Sequence, residues 1–213
     1  MSSPLLVLER AVVLHEALDA AGIQHAFGGA LALAYHIEDP RGTNDIDLNV
    51  TIDADAPGPL FAALPRELPW SQTDVDEVKR RGQVRLYWPH PDGPPTQPTP
   101  VDLFLPQDDF HAVVAARTEL VPMLETTVPI ISATDLTIFK ALFNRSKDWV
   151  DIEELLRYGK VDDPEVERWL LDLVGADDPR LPRYRGLVVE ARLPRHEPTA
   201  AVLFGRRKPR LGD

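Results

Sequence analysis

Residues 27–50 read FGGALALAYHIEDPRGTNDIDLNV, and the reading of every other segment hangs on them. Gly28 and Gly29 open the stretch, an apolar segment of helical character follows, and Asp45-Ile46-Asp47 leads into a second apolar run. Taken as a strand, residues 45–52 alternate their faces, so Asp45 and Asp47 project to one side while Ile46 and Leu48 point into a core. Two carboxylates so placed repel each other and resist joint ionisation. A divalent cation removes that conflict, and hard oxygen donors suit Mg2+. Upstream, the glycine pair lets backbone approach a ligand closely, and the helix after it offers its N-terminus to phosphate. A phosphate cradle beside metal-binding carboxylates is the equipment of phosphoryl or nucleotidyl transfer.

Working outward, residues 1–21 predict an amphipathic helix on the recurrence of Leu5, Leu8, Val12 and Leu18, stopped by Gly22. Residues 23–27 form a short strand, 30–36 a helix, and Asp39-Pro40-Arg41-Gly42 a turn. Downstream come helices over 57–64 and 74–81 and an alternating strand over 83–88. The segment 89–100, PHPDGPPTQPTP, is too proline-rich to pair as a central strand and reads as a surface loop. Residues 101–105, VDLFL, form another strand, whose one acid, Asp102, either sits near the strand end in water or has a cationic partner. A helix over 110–117 and strands over 119–124 and 127–131 follow, with Ser132 or Thr134 as the N-cap of a helix over 135–143. That helix carries Lys140, and Arg145 lies five residues on. A second helix opens at Lys147-Asp148, with Asp148 and Asp151 on one face at i, i+3. Residues 164–174 read as a final helix.

These segments carry a resemblance. Gly28-Gly29, a helix, then Asp45-x-Asp47 on a strand resembles the signature of the polymerase-beta-type nucleotidyltransferases. Arg41-x-Thr43-x-Asp45-Ile46-Asp47-Leu48, with Lys140-x4-Arg145 and Lys147-Asp148-x-x-Asp151-Ile152, resembles the branch holding the AbiEii-type abortive-infection (type IV) toxins. The resemblance covers about residues 23–156. It implies an α/β (α+β) mixed-sheet catalytic core over 1–131, a helical C-terminal portion over 132–174 completing the site, and a Pro/Arg-rich tail over 175–213. It implies two Mg2+ ions held by Asp45, Asp47 and Asp102, with NTP as substrate. Gly28 and Gly29 would present backbone to the phosphates, and Arg41 and Thr43 would contact them. Lys140 would act there as a point charge and Arg145 as a planar fork. Asp148 and Asp151 would stand behind these groups, although Lys147 with Asp148 reads equally as a surface salt bridge.

Composition sets the bounds. At 213 residues, with 44% hydrophobic and 27% charged residues, the chain fits one sizeable domain or a catalytic lobe with a helical appendage. It has no cysteine, so disulfides and thiolate metal sites are excluded. No leader pattern and no bilayer-length apolar run is visible, which predicts a cytoplasmic protein without membrane contact. The six histidines show no ligand spacing, and Trp70, Trp88, Trp149 and Trp169 read as core. The net charge of −11 sits awkwardly with nucleic acid. The basic cluster at residues 205–210, after an apolar piece at 200–204, is the only candidate patch for RNA, and it reads more readily as a disordered, solubilising tail. Three readings follow: a nucleotidyltransferase toxin acting on RNA such as tRNA, with an antitoxin partner; one modifying a small molecule or protein; and a non-catalytic binding module.

Overall fold

The computed structural model describes residues 4–90, 97–158 and 160–192. Its centre is a six-stranded mixed sheet of order β3-β4-β2-β1-β6-β5. The strands are β1 (His25–Phe27), β2 (Ile46–Val50), β3 (Gln83–Trp88), β4 (Thr99–Phe104), β5 (Glu119–Met123) and β6 (Thr126–Ile130). β2 runs antiparallel to β1 and parallel to β4, and β3 closes antiparallel on β4. Alternation decides the faces. Ile46, Leu48 and Val50 of β2, Val101 and Leu103 of β4, and Val84 and Leu86 of β3 are all buried. Asp47, Asp102 and Arg85 occupy the intervening positions and therefore share the opposite face.

Helices cover both faces: α1 (Pro4–Ala20), α2 (Gly29–His36), α3 (Gly58–Ala63), α4 (Gln72–Arg81) and α5 (Asp109–Ala116) precede β5. α6 (Ala133–Phe143), α7 (Ser146–Arg157), α8 (Asp163–Val174) and α9 (Arg180–Arg192) follow β6. Ser132 caps α6, its hydroxyl accepting the Asp135 N–H at 3.1 Å. Thr134 instead accepts the Asp162 N–H at 3.0 Å. No described helix is long and apolar enough to cross a membrane.

Four expectations need correction. The buried stripe of α1 is Val7, Ala11, Leu14 and Leu18, whereas Leu5 is 54% exposed. The helix is apolar on more than one side, and periodicity alone could not choose the stripe. Pro100, expected in a loop, lies in β4 opposite Tyr87. β2 joins β4 only from Val101 onward, so the proline has a strand neighbour on one side, where a missing N–H is tolerated. Trp70 is 45% exposed, one ring face covered by Phe61 at 5.1 Å between centroids. Finally, the helices do not end at Val174. In α9, Pro182 occupies the first turn, where a backbone N–H is not needed, and Leu181 and Tyr184 are buried. Arg183 lies over the Trp149 ring at 4.3 Å, and the Tyr184 hydroxyl donates to Asp163 Oδ1 at 3.0 Å. The segments at 200–204 and 205–210 lie outside the described residues.

Candidate active site

The site grows from one register row. Arg85 of β3 is the partner of Asp102 on β4, and Asp102 is the partner of Asp47 on β2. The row continues to Gly28, whose N–H donates to the Asp47 carbonyl at 2.9 Å. Gly29 then starts α2 with φ +54°. A Cβ there would lie 1.7 Å from Asp47 Oδ2, so the missing side chain is the space that the Asp47 carboxylate occupies. At Gly28 a Cβ would meet Asn49 Nδ2 at 3.1 Å. The sequence assigns the glycine pair to phosphate; in the structure Gly29 also leaves the room that the Asp47 carboxylate fills.

Asp45 stands just before β2 and is fixed by Thr43. The Thr43 hydroxyl donates to the Asp45 carboxylate and accepts the Asp45 N–H at 3.2 Å. Thr43 thus orients an acid in this structure. The Asp47 carboxylate has no hydrogen-bond or ion-pair partner among the described residues. Burial first, then the charges of Asp45 and Asp102, push its carboxyl up from an ordinary 3.8 to about 6, against the pull of Lys140 and Arg145.

The cations come from the α2–β2 connection and from α6–α7. Asn144 ends α6 in the left-handed conformation at φ 55°, and its Oδ1 accepts the Trp149 indole N–H at 2.7 Å. This turn brings α7 back across α6. Asp151 then accepts Lys140 Nζ at 2.6 Å and, side-on, Arg41 Nε at 3.2 Å and Nη2 at 3.0 Å. Lys140 is only 3% exposed, far from the solvated helix residue that its apolar helix also allowed. Burial lowers its pKa, a shift opposed by the bond to Asp151. Burial also pushes the Asp151 carboxyl up, and the bonds from Arg41 and Lys140 outweigh it, so this acid stays below the usual carboxylate range. Asp148, fully buried, holds Arg145 through Nε at 2.7 Å and Nη2 at 3.0 Å. Its partner is Arg145 and not Lys147, which disposes of the surface-pair alternative.

A recess of about 40 Å³ brings together Gly29, Arg41, Asp45, Asp47, Asp102, Lys140, Arg145 and Asp148. It also includes two charged residues that the sequence reading did not place there, Arg85 and Lys147. A wider cleft of about 360 Å³ opens beside it between Arg81, Arg85, Phe143 and Arg145, and shares Asp47 and Asp102 with the recess. Arg85 grips Asp102 with Nε at 2.7 Å and Nη2 at 2.6 Å. The acid therefore has its cationic partner within the sheet. The alternation of residues 83–88 put Arg85 on the polar face, but only strand order could place it opposite Asp102.

The donor set suits a hard cation. Mg2+ is commonly bound by one or two carboxylates plus substrate phosphates rather than by a protein cage. Asp45 and Asp47 supply such a pair, with a charge conflict at Asp47 that Lys140 and Arg145 only partly offset. Among the described residues no three acidic or imidazole groups gather around one point as a ready-made metal site.

No protein-family profile matches the chain, and no curated protein is similar to it. Among solved structures it is similar to an antigenic nucleotidyltransferase-like protein from Paracoccidioides brasiliensis. That likeness has a TM-score of 0.52 and 20% identity, covering 87% of this chain and 88% of the other. It is also similar, more loosely, to JHP933 from Helicobacter pylori, with a TM-score of 0.47 and 13% identity over 90% of this chain and 91% of that one. The mixed-sheet architecture of the chain, which sets Asp47 and Asp102 on adjacent parallel strands, is thus similar in fold to a nucleotidyltransferase-like protein.

Proposed function

We propose that the chain is a metal-dependent nucleotidyltransferase that moves a nucleoside monophosphate from an NTP to an acceptor hydroxyl. The observation that carries this reading is Asp47: an unpartnered, part-buried carboxyl with its pKa pushed up to about 6, in a recess otherwise rich in cations. Two acids without an ion pair among the described residues, beside arginines whose carboxylate partners leave Nη1 open, fit a metal-bound triphosphate.

Asp45 and Asp47 would hold the cation, with Asp102 as the third carboxylate that the resemblance implies and two ions as its expected number. When bound, Mg2+ would neutralise charge on phosphate oxygens and acidify the attacking hydroxyl. Gly29 and Ala30 would offer the free N–H groups at the start of α2 to phosphate. Arg145, oriented by Asp148, and Lys140, held by Asp151, would stabilise charge as it develops on the departing group. Arg41 would act from the same Asp151 anchor. The acceptor oxygen bonds to the α-phosphorus, the bridge to the β-phosphate breaks, pyrophosphate leaves, and the hydroxyl proton passes to solvent.

The specific form of this reading is a cytoplasmic toxin acting on RNA such as tRNA and restrained by an antitoxin. The net charge of −11 favours the second form, in which the acceptor is a small molecule or a protein. Incubation with each labelled NTP and Mg2+, with and without total tRNA, separates them. Label in RNA supports the toxin, and label elsewhere supports the second form. No transfer with any NTP leaves a non-catalytic binding module and defeats the proposal.

A further inference from the structure

Arg85 has no part in the reaction as described so far. Its pairing with Asp102 is side-on, through Nε and Nη2, and leaves both Nη1 hydrogens without an acceptor among the described residues. Arg85 lines both the narrow recess and the wide cleft, the two cavities that also share Asp47 and Asp102. Asp102, in contrast, has both oxygens engaged, and its side chain is only 13% exposed. The same economy recurs around the site: Asp148 holds Arg145, and Asp151 holds Lys140 with Arg41. Of the carboxylates lining the recess, Asp45 and Asp47 alone have no ion pair among the described residues.

We propose that Arg85 binds a substrate phosphate directly, and that Asp102 is its positioning residue and not a ligand of the cation, which would rest on Asp45 and Asp47. The inference builds on the nucleotidyltransferase reading and departs from the three-carboxylate set that the resemblance implies. A cation approaching Asp102 meets a guanidinium already within hydrogen-bond distance of both oxygens, and like charges repel. A guanidinium fixed by a fork-to-fork carboxylate keeps its remaining N–H groups aimed, so anion binding orders little that is not already ordered. Phosphate is the anion that this planar geometry favours, and lysine cannot reproduce it.

The test uses the full chain with Mn2+, read by the spin-resonance signal of the free ion, and an α,β-methylene NTP analogue. Urea melts establish that each variant is folded. Arg85→Ala and Asp102→Asn should each weaken binding of the Mn2+–analogue complex about tenfold, as for loss of one charge-assisted contact. The double variant should be no weaker than Arg85→Ala, since the acid acts through the arginine. Arg85→Lys should not restore binding. Asp102→Asn should leave affinity for Mn2+ alone within about threefold, the change expected of a charge outside the coordination shell. Asp47→Asn should lose more than about tenfold of that affinity. Should Arg85→Ala fail to fold, the double variant, with no stranded carboxylate, gives the same reading. Loss of Mn2+ by Asp102→Asn as severe as by Asp47→Asn, with Mn2+ tightened in Arg85→Ala, would make Asp102 a ligand and overturn the proposal. Unchanged analogue binding in Arg85→Ala would make the pair a plain cross-strand bridge and also overturn it. A wild-type chain that binds neither Mn2+ nor analogue would remove the nucleotidyltransferase reading itself, and this inference with it.

Discussion

Exchanging Asp47 for asparagine should abolish transfer and, without metal, make the protein more stable. The amide keeps the shape that fits over Gly29 but carries no charge. In the wild-type chain the carboxyl is raised from 3.8 to about 6, so its ionised form costs the folded state about 3 kcal/mol, at about 1.4 kcal/mol per tenfold. Below about pH 4 the group is protonated whether the chain is folded or not, and the cost is absent. Between about pH 4 and about pH 6 the unfolded chain releases the proton and the folded one keeps it, so stability falls as pH rises. Above that window the full cost stands, and asparagine avoids it at every pH. Part of the repulsion is screened by salt and by water reaching the site, which makes 3 kcal/mol a ceiling of about that size. At roughly 2–4 °C per kcal/mol for a chain of this length, the gain is several degrees. Urea and thermal melts with a chelator present, at pH 4 and pH 7.5, measure it. A variant no more stable than wild type at pH 7.5, or one whose advantage is as large at pH 4, would refute the reasoning about Asp47.

Mg2+ with NTP should raise the melting temperature far more than NTP alone, by about 2.7 kcal/mol of stability at a hundredfold excess over Kd; equal shifts would favour a metal-independent binding module. Lys140→Ala should destabilise the fold by about 3 kcal/mol, the low end for breaking a buried ion pair because Arg41 remains on Asp151. Chemical denaturation checks it, and a neutral result would mean that the pair contributes nothing. Gly29→Ala should cost roughly 1–3 kcal/mol in backbone strain at φ +54° and also displace the Asp47 carboxylate. Gly28→Ala, with its nearest atom at 3.1 Å on the Asn49 side chain, is the milder control. The same melt, paired with an NTP-transfer assay, separates the two; equal behaviour would argue against the carboxylate seat.

Much of the fold was legible because local chemistry repeats at short range. The alternation in Ile46-Asp47-Leu48 and Val101-Asp102-Leu103 shows which side chains are buried, and β3 appears at its predicted bounds, Gln83–Trp88. Gly22 marked a helix end, and Ser132 a cap, because their backbone or side-chain preferences act within a few residues. α9 was hidden because Pro182 and Gly186 look like breakers, and only packing on α7 and α8 reveals that Leu181 and Tyr184 have a core to enter.

The site divides along the same line. By itself the sequence determined which groups carry charge and which share a strand face or a helix face: Asp45 with Asp47, and Asp148 with Asp151. Long-range pairing was decided by tertiary structure alone. Lys140 and Asp151 are eleven residues apart and Arg41 and Asp151 are 110 apart, yet they meet because the left-handed turn at Asn144 folds α7 across α6 toward the α2–β2 connection. Arg85 reaches Asp102 through strand order, and Asp102 reaches Asp47 through a parallel register that no local pattern encodes. Charge is a property of a residue. Whether that charge is neutralised, buried or left open for a ligand depends on what the fold sets within a few ångströms of it.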